Sequence, residues 1–140
     1  MTKIIAGNSS KTLAYDLSRY LEIEYLDAQI KNFADGELRI QLTQSLNKDD
    51  VIIVQSTCKP ANDHLMELLL LVDAAKQAGA GRVTALMPYF GYSRQDRLSY
   101  EYGPVSARLV ATLLEASGVD HIITLDLHSE ATEAFFKIAI

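Results

Sequence analysis

The stretch Tyr89-Phe90-Gly91-Tyr92-Ser93-Arg94-Gln95-Asp96-Arg97 carries the side chains best suited to hold a nucleotide. Two arginines flank two polar groups, with three aromatics just before them. Arginine meets phosphate oxygens through paired hydrogen bonds, and aromatic faces stack on bases. The plainer reading is a surface loop with solvated charges. Asp126-Leu127-His128 follows an apolar run read as a buried strand. Residues two apart on a strand face the same way, so a carboxylate and an imidazole would converge on one cation or on a phosphate-bound magnesium. The plainer reading here is a strand-end Asp capping the next segment beside a hydrogen-bonded histidine. Asn32-Phe33-Ala34-Asp35-Gly36-Glu37 is a turn with two carboxylates and one aromatic; alone it reads as the turn before a strand.

Other patterns fail on context. Gly7-Asn8-Ser9-Ser10-Lys11-Thr12 lies between a strand and a helix like a phosphate-binding loop, but it lacks the second glycine before Lys-Thr. Gly79-Ala80-Gly81 precedes a strand instead of opening a helix, and helix termination explains it. Gly91-Tyr92-Ser93-Arg94 lacks the second glycine of a nucleophile elbow. Cys58 reads as an ordinary thiol. His64 and Glu67, at helical spacing, read as a solvated face, and His121 reads as structural.

These segments must be positioned by a scaffold. Lys3–Ala6 reads as a strand, and Ser9 or Ser10 as the cap of a helix with a Leu13, Ala14, Leu17, Leu21 stripe. Ile23 to Ile30 is mixed and extended. Glu37–Leu42 alternates with period two, as in a half-buried strand. Val51–Val54 is a continuous β-branched run, as in a strand buried on both faces. A deeply buried helix opens at Pro60 and ends near Gly79, followed by a strand over Arg82–Met87. A helix from Pro104 to Gly118 and a strand over Asp120–Leu125 come next, and the tail Ala131–Ile140 starts helical and then turns apolar. Alternating strands and helices predict an α/β fold, a mostly parallel sheet with helices on both faces. Ligands of such sheets bind beyond the carboxyl ends of the strands. That places Gln55–Pro60, Tyr89–Gly103 and Asp126–Glu130 at the candidate site.

Composition narrows the class. The chain has 140 residues, 49% of them apolar and 22% charged, as expected for one globular domain. Thirteen Lys+Arg against eighteen Asp+Glu give a net charge of −5, so no basic field recruits nucleic acid or an anionic membrane. Any anionic ligand needs a local basic site. A single cysteine forms no internal disulfide. No apolar run approaches the roughly 20 residues that span a bilayer. The expectation is a cytoplasmic domain. The ending Phe135-Phe136-Lys137-Ile138-Ala139-Ile140 is apolar throughout except for Lys137, which suggests a fragment, or one half of a two-domain protein.

Read together, the motifs carry a resemblance. Gly7-Asn8-Ser9, Phe33-Ala34-Asp35-Gly36-Glu37, Gln55-Ser56-Thr57-Cys58, Asn62-Asp63-His64-Leu65-Met66-Glu67-Leu68-Leu69, Pro88 through Arg97, and Asp126-Leu127-His128 with Phe135-Phe136 occur in one order over the whole chain. In this the chain resembles the N-terminal half of the ribose-phosphate diphosphokinases, the phosphoribosyl pyrophosphate synthetases. The resemblance implies a phosphoribosyltransferase-type α/β fold. It implies transfer of the diphosphoryl group of ATP to the anomeric hydroxyl of ribose 5-phosphate, with Mg2+, for nucleotide biosynthesis. It assigns Arg94 and Gln95 to ATP, and His128 with neighbouring Asp126 to the magnesium–ATP assembly. Phe33, Asp35 and Glu37 match a loop that reaches the adenine and ribose of ATP in a neighbouring subunit, which implies a homo-oligomer.

Transfer of this kind rests on positioning and charge neutralisation, so the lack of a nucleophile does not argue against an enzyme. The resemblance implies that the main catalytic loop and the ribose-phosphate-binding domain belong to a half absent from residues 1–140. The isolated chain is therefore expected to be inactive. Two positions depart from the family. Leu98-Ser99-Tyr100-Glu101-Tyr102-Gly103 stands where a basic run is usual, and Asn47 stands where many members have an arginine serving an allosteric phosphate or nucleotide site. Both departures suit an alternative, a non-catalytic regulatory or interaction homologue. A generic doubly wound binding module is a third reading.

Overall fold

The computed structural model describes all 140 residues. The β-branched and small apolar runs become five parallel strands: β1 (Thr2–Ala6), β2 (Glu24–Leu26), β5 (Asp50–Val54), β6 (Arg82–Met87) and β7 (His121–Thr124), in the order β2-β1-β5-β6-β7. The register sets Ile5, Ile53, Ala85 and Ile122 in one row across four strands. All four are fully buried. They face α2 (Ala61–Gln77) and α3 (Ser106–Ser117), where Leu68, Leu71, Val110 and Leu114 complete the main core.

The alternate residues Ile4, Ala6 and Val54 face α1 (Lys11–Tyr20). Helices thus lie on both faces, as predicted, but unequally. One helix covers the β2-β1-β5 side of its face, while Ile123 is 41% exposed at the β7 edge. α1 lies down through Ala14 and Ser18, with Leu17 half-buried beside them, whereas Leu13 and Leu21 of the predicted stripe are exposed. Small residues let the helix approach the sheet, and the larger leucines are left at its flanks.

The extended stretch predicted over Ile23–Ile30 divides at exposed Asp27. Residues before it join the main sheet, and residues after it form β3 (Ala28–Asn32), which pairs antiparallel with β4 (Leu38–Leu42). This hairpin rests on α2, and Ile30, Ile40 and Leu42 pack against the main core. The C-terminal run is also packed. A 3-10 turn over Glu130–Phe135 leads to Phe136, which meets Phe90 edge-on at a ring separation of 5.9 Å. Ile138 and Ile140 pack on the core, and Ile122 N–H donates to Ala139 C=O at 2.9 Å beside β7. The apolar ending is therefore partly covered by the chain's own core.

Asp120 pins the entry to β7. Its carboxylate accepts from Lys76 Nζ at 2.6 Å and from Val83 N–H at 2.7 Å. Burial works against its charge, but these two partners outweigh burial and hold the carboxyl below its ordinary value. A depressed carboxyl contributes stability above its unfolded pKa, about 4, and loses it as pH falls through the lower folded value. Asp120→Asn should therefore flatten the fall in Tm below about pH 4. An acid limb identical to that of the unmodified protein contradicts this.

Candidate functional site

The loop after β6 is fixed at nearly every residue that comes before its arginines. Phe90 is fully buried. Thr57, from the loop after β5, donates its N–H to Tyr89 C=O at 3.0 Å and accepts Gly91 N–H on Oγ1 at 2.7 Å. Gly91 lies so close that a Cβ there would sit 2.4 Å from the Thr57 carbonyl oxygen. Gly91→Ala should cost about 2 kcal/mol, because backbone has to move to admit it. Tm of the variant checks this, and an unchanged Tm contradicts it. Tyr92 has φ +69°, a left-handed conformation uncommon outside glycine, and its hydroxyl bonds Asn62 Oδ1 at the start of α2. Gln95 sits at the head of α3: its C=O accepts Ala107 N–H at 3.0 Å and its Oε1 accepts Ser106 Oγ–H at 2.6 Å. With that oxygen occupied, the amide NH2 is the end left to meet an anion. Arg94 and Arg97 are exposed, and neither takes part in any of the four ion pairs.

The loop after β7 carries Asp126 and His128, both exposed. β7 ends at Thr124, so the strand pleat does not align them as the sequence predicted. They sit on irregular backbone beyond the strand. Ser129 Oγ–H donates to Asp96 Oδ2, joining this loop to the loop after β6. That hydrogen bond holds the Asp96 carboxyl below its ordinary value, with further help from its own backbone N–H and from nearby His128 and Arg97. Sequence reasoning stopped at Gln95 and missed Asp96 and Ser129. No group of three His, Cys, Asp or Glu side chains forms a metal cage here. The donor set still suits magnesium, which uses one or two protein ligands when it arrives on substrate phosphates.

Phe33, Asp35 and Glu37 form the tip of the β3–β4 hairpin. Gly36 N–H donates to Phe33 C=O at 3.0 Å, and Phe33 N–H donates to Glu37 C=O at 2.8 Å. Gly36 takes φ +92°, as the glycine of a three-residue hairpin loop with a bulge does. Asp35 Oδ1 accepts Glu37 N–H at 3.0 Å. The turn is thus self-supporting, and Phe33 is left 52% exposed. The tip opens on a cavity of about 510 Å³ shared with α2, lined by Asn8, Asn32, Glu37, Asp63 and His64 among others. It joins neither Arg94 nor His128 there. Within one chain, then, the predicted site residues fall into two groups: the paired loops after β6 and β7, and the hairpin tip.

The sheet order reverses between β1 and β5, where ligands of doubly wound sheets commonly bind. Here the loops after β1 and β5 bond one another, beside an open cavity of about 580 Å³ lined by Ser9, Ser10, Lys11, Thr12 and Ser56 among others. Glu67 is 4% exposed and accepts Asn8 N–H at 2.5 Å, Asn8 Nδ2 at 2.9 Å and Gln55 Nε2 at 3.0 Å. Gln55, fully buried, accepts Ser9 N–H at 3.2 Å and Ser9 Oγ–H at 2.6 Å on Oε1. Two backbone amides that a phosphate cradle would need are therefore taken, which agrees with rejecting Gly7–Thr12 as a phosphate-binding loop. Ser10 occupies the N-cap position of α1, but its Oγ accepts Ser56 N–H at 2.9 Å instead of capping the helix. Glu67 and His64 do not form the solvated face predicted for them. His64 is half-buried, with Nδ1 2.8 Å from Cys58 C=O.

Comparison with known proteins agrees with this arrangement. Residues 2–118 match the family model described as the N-terminal domain of ribose phosphate pyrophosphokinase. A ribose-phosphate pyrophosphokinase of Campylobacter jejuni is 45% identical over 138 residues, 99% of this chain and 45% of that protein. One from Agrobacterium fabrum is 47% identical over 136 residues, 97% of this chain and 44% of that protein. The crystal structure of phosphoribosylpyrophosphate synthetase from Mycobacterium smegmatis superposes with a TM-score of 0.94 at 35% identity, covering 99% of this chain and 46% of that one. The chain thus spans less than half the length of the relatives it matches. With its parallel sheet, its loops beyond β6 and β7 and its α2-borne hairpin, the chain belongs to the family of ribose phosphate pyrophosphokinase N-terminal domains.

Proposed function

We propose that this chain is the ATP-binding domain of a ribose-phosphate pyrophosphokinase that takes diphosphate from Mg-ATP. The acceptor is ribose 5-phosphate, and the products are phosphoribosyl pyrophosphate and AMP. The observation that carries the reading is the pairing of the loops after β6 and β7, which groups two unpaired arginines with a carboxylate and an imidazole beyond the sheet's carboxyl edge. Arg94 and the Gln95 amide would hold phosphate oxygens. Asp126 and His128 would receive the magnesium that comes with them, and that ion supplies charge neutralisation on the triphosphate. The anomeric oxygen forms a bond to the β-phosphorus and loses its proton, the α–β phosphoanhydride breaks, and AMP leaves.

The hairpin tip stands apart from these loops, and its exposed Phe33 with Asp35 and Glu37 suits the adenosine of a neighbouring subunit. This makes the protein a homo-oligomer. Ribose 5-phosphate binding belongs to a second domain outside residues 1–140, and the setting is the cytoplasm. No helix is long and apolar enough to cross a membrane. A second reading, a non-catalytic partner subunit, is favoured by Leu98, Tyr100 and Tyr102, exposed by 59%, 79% and 93% directly after the arginines. The test is AMP formation from Mg-ATP and ribose 5-phosphate. The natural full-length protein should form AMP and the 140-residue chain should not. Failure of the full-length protein to form AMP while it still binds its relatives would favour the second reading.

A further inference from the structure

The two loops that carry the candidate ATP residues leave neighbouring paired strands, and α3 and the 3-10 turn pack on each other beside them. Arg94 and Gln95 precede Asp96, whereas Asp126 and His128 precede Ser129. Asp96 and Ser129 are 33 residues apart in sequence, and Ser129 Oγ–H donates to Asp96 Oδ2. Both side chains are partly buried, while Arg94, Gln95, Asp126 and His128 are exposed. The pair is therefore less exposed than the residues offered to ligand. On the far side of Gln95, Ser106 and Ala107 fix that residue to the head of α3. Asp96 is the next residue and has no such tie to α3. On the other loop, Thr132 N–H donates to Ser129 C=O at 3.2 Å, which seats Ser129 on the 3-10 turn. This hydrogen bond thus ties the segment that carries Arg94 and Gln95 to the segment that carries Asp126 and His128.

We infer that Asp96 and Ser129 are positioning residues that clamp the two loops into the one arrangement able to bind Mg-ATP. The inference rests on the ATP reading of those loops and names how their geometry is kept. Neither residue needs to touch the nucleotide. Without the clamp the loops remain folded but sample more arrangements, and apparent affinity falls in proportion to the competent fraction. A hydrogen bond to a charged acceptor is strong enough for that fraction to drop about tenfold.

The experiment measures Mg-ATP affinity by calorimetry on the natural full-length protein and on Asp96→Ala, Ser129→Ala, the double variant and Asp96→Asn, with Tm recorded for each. Each alanine variant should weaken Mg-ATP about tenfold, and the double variant should be no weaker than either single one. Asp96→Asn, whose carboxamide oxygen still accepts from Ser129, should bind within about threefold of the unmodified protein. Affinity should fall without a matching loss of Tm. Alanine variants that bind as well as the unmodified protein, or a double variant whose losses add, overturn the clamp. An Asp96→Asn variant as weak as Asp96→Ala overturns it too, because the charge and not the bond would then matter. Absence of Mg-ATP binding by the unmodified protein would instead overturn the ATP reading itself.

Discussion

Arg94→Ala in the full-length protein is expected to weaken Mg-ATP binding by about ten- to a hundredfold, the worth of one lost charge-assisted pairing with phosphate. Tm should stay within about 2 °C, because Arg94 is exposed and joins no ion pair, so its loss removes little from the fold. This separation makes the variant informative. The chain's net charge is −5, so its surface as a whole repels a triphosphate, and attraction has to be local. Arg94→Lys should recover only part of the affinity, since an ammonium lacks the planar fork. Calorimetric titration decides it. An affinity for Mg-ATP unchanged by Arg94→Ala removes the loop after β6 from the site.

Glu67→Gln should produce the largest loss of stability, about 3 kcal/mol or roughly 10 °C in Tm. Its carboxylate oxygens are surrounded by N–H donors: Oε1 takes Asn8 N–H and Gln55 Nε2, and Oε2 takes Asn8 Nδ2. A carboxamide presents one NH2 to this array, setting donor against donor in a site 4% exposed. The effect reaches further than α2. Gln55 carries Ser9, and Ser10 carries Ser56, so the loops after β1 and β5 share one network. Thr57, two residues beyond Gln55, holds the Gly91 turn of the loop after β6. Asp73→Asn, exposed on the same helix, should leave Tm within about 2 °C. A Glu67→Gln variant that melts with the unmodified protein contradicts the network.

The parts of the fold that were legible are those where local pattern and tertiary role coincide. Val51–Val54 reads as a buried strand because β-branched residues on both faces fit a parallel interior strand, and that is where it lies. The stretch from Ile23 to Ile30 did not disclose its two strands. Exposed Asp27 between buried Leu26 and Ala28 is ambiguous until the sheets on either side are known. Ser10 looked like a cap, but a hydroxyl cannot show in sequence whether it will accept from its own helix or from Ser56. Asp126 and His128 were singled out by type and spacing, but β7 ends at Thr124, two residues before Asp126, so the strand argument for them fails. Arg94 and Gln95 were singled out by residue type and assigned to ATP through the resemblance, which also supplied the assignment of the hairpin residues. The pairing of Asp96 with Ser129, and of Glu67 with Gln55, left no local signal, since one joins two loops and the other joins a loop to α2.

Hydrogen exchange of the full-length protein with and without Mg-ATP shows whether the loops after β6 and β7 close on one nucleotide. Nucleotide should slow exchange together in Tyr89–Arg97 and Asp126–Glu130, and leave the amides of α1 unchanged. Protection confined to Gly7–Thr12 at the head of α1, or none in either loop, would contradict the account.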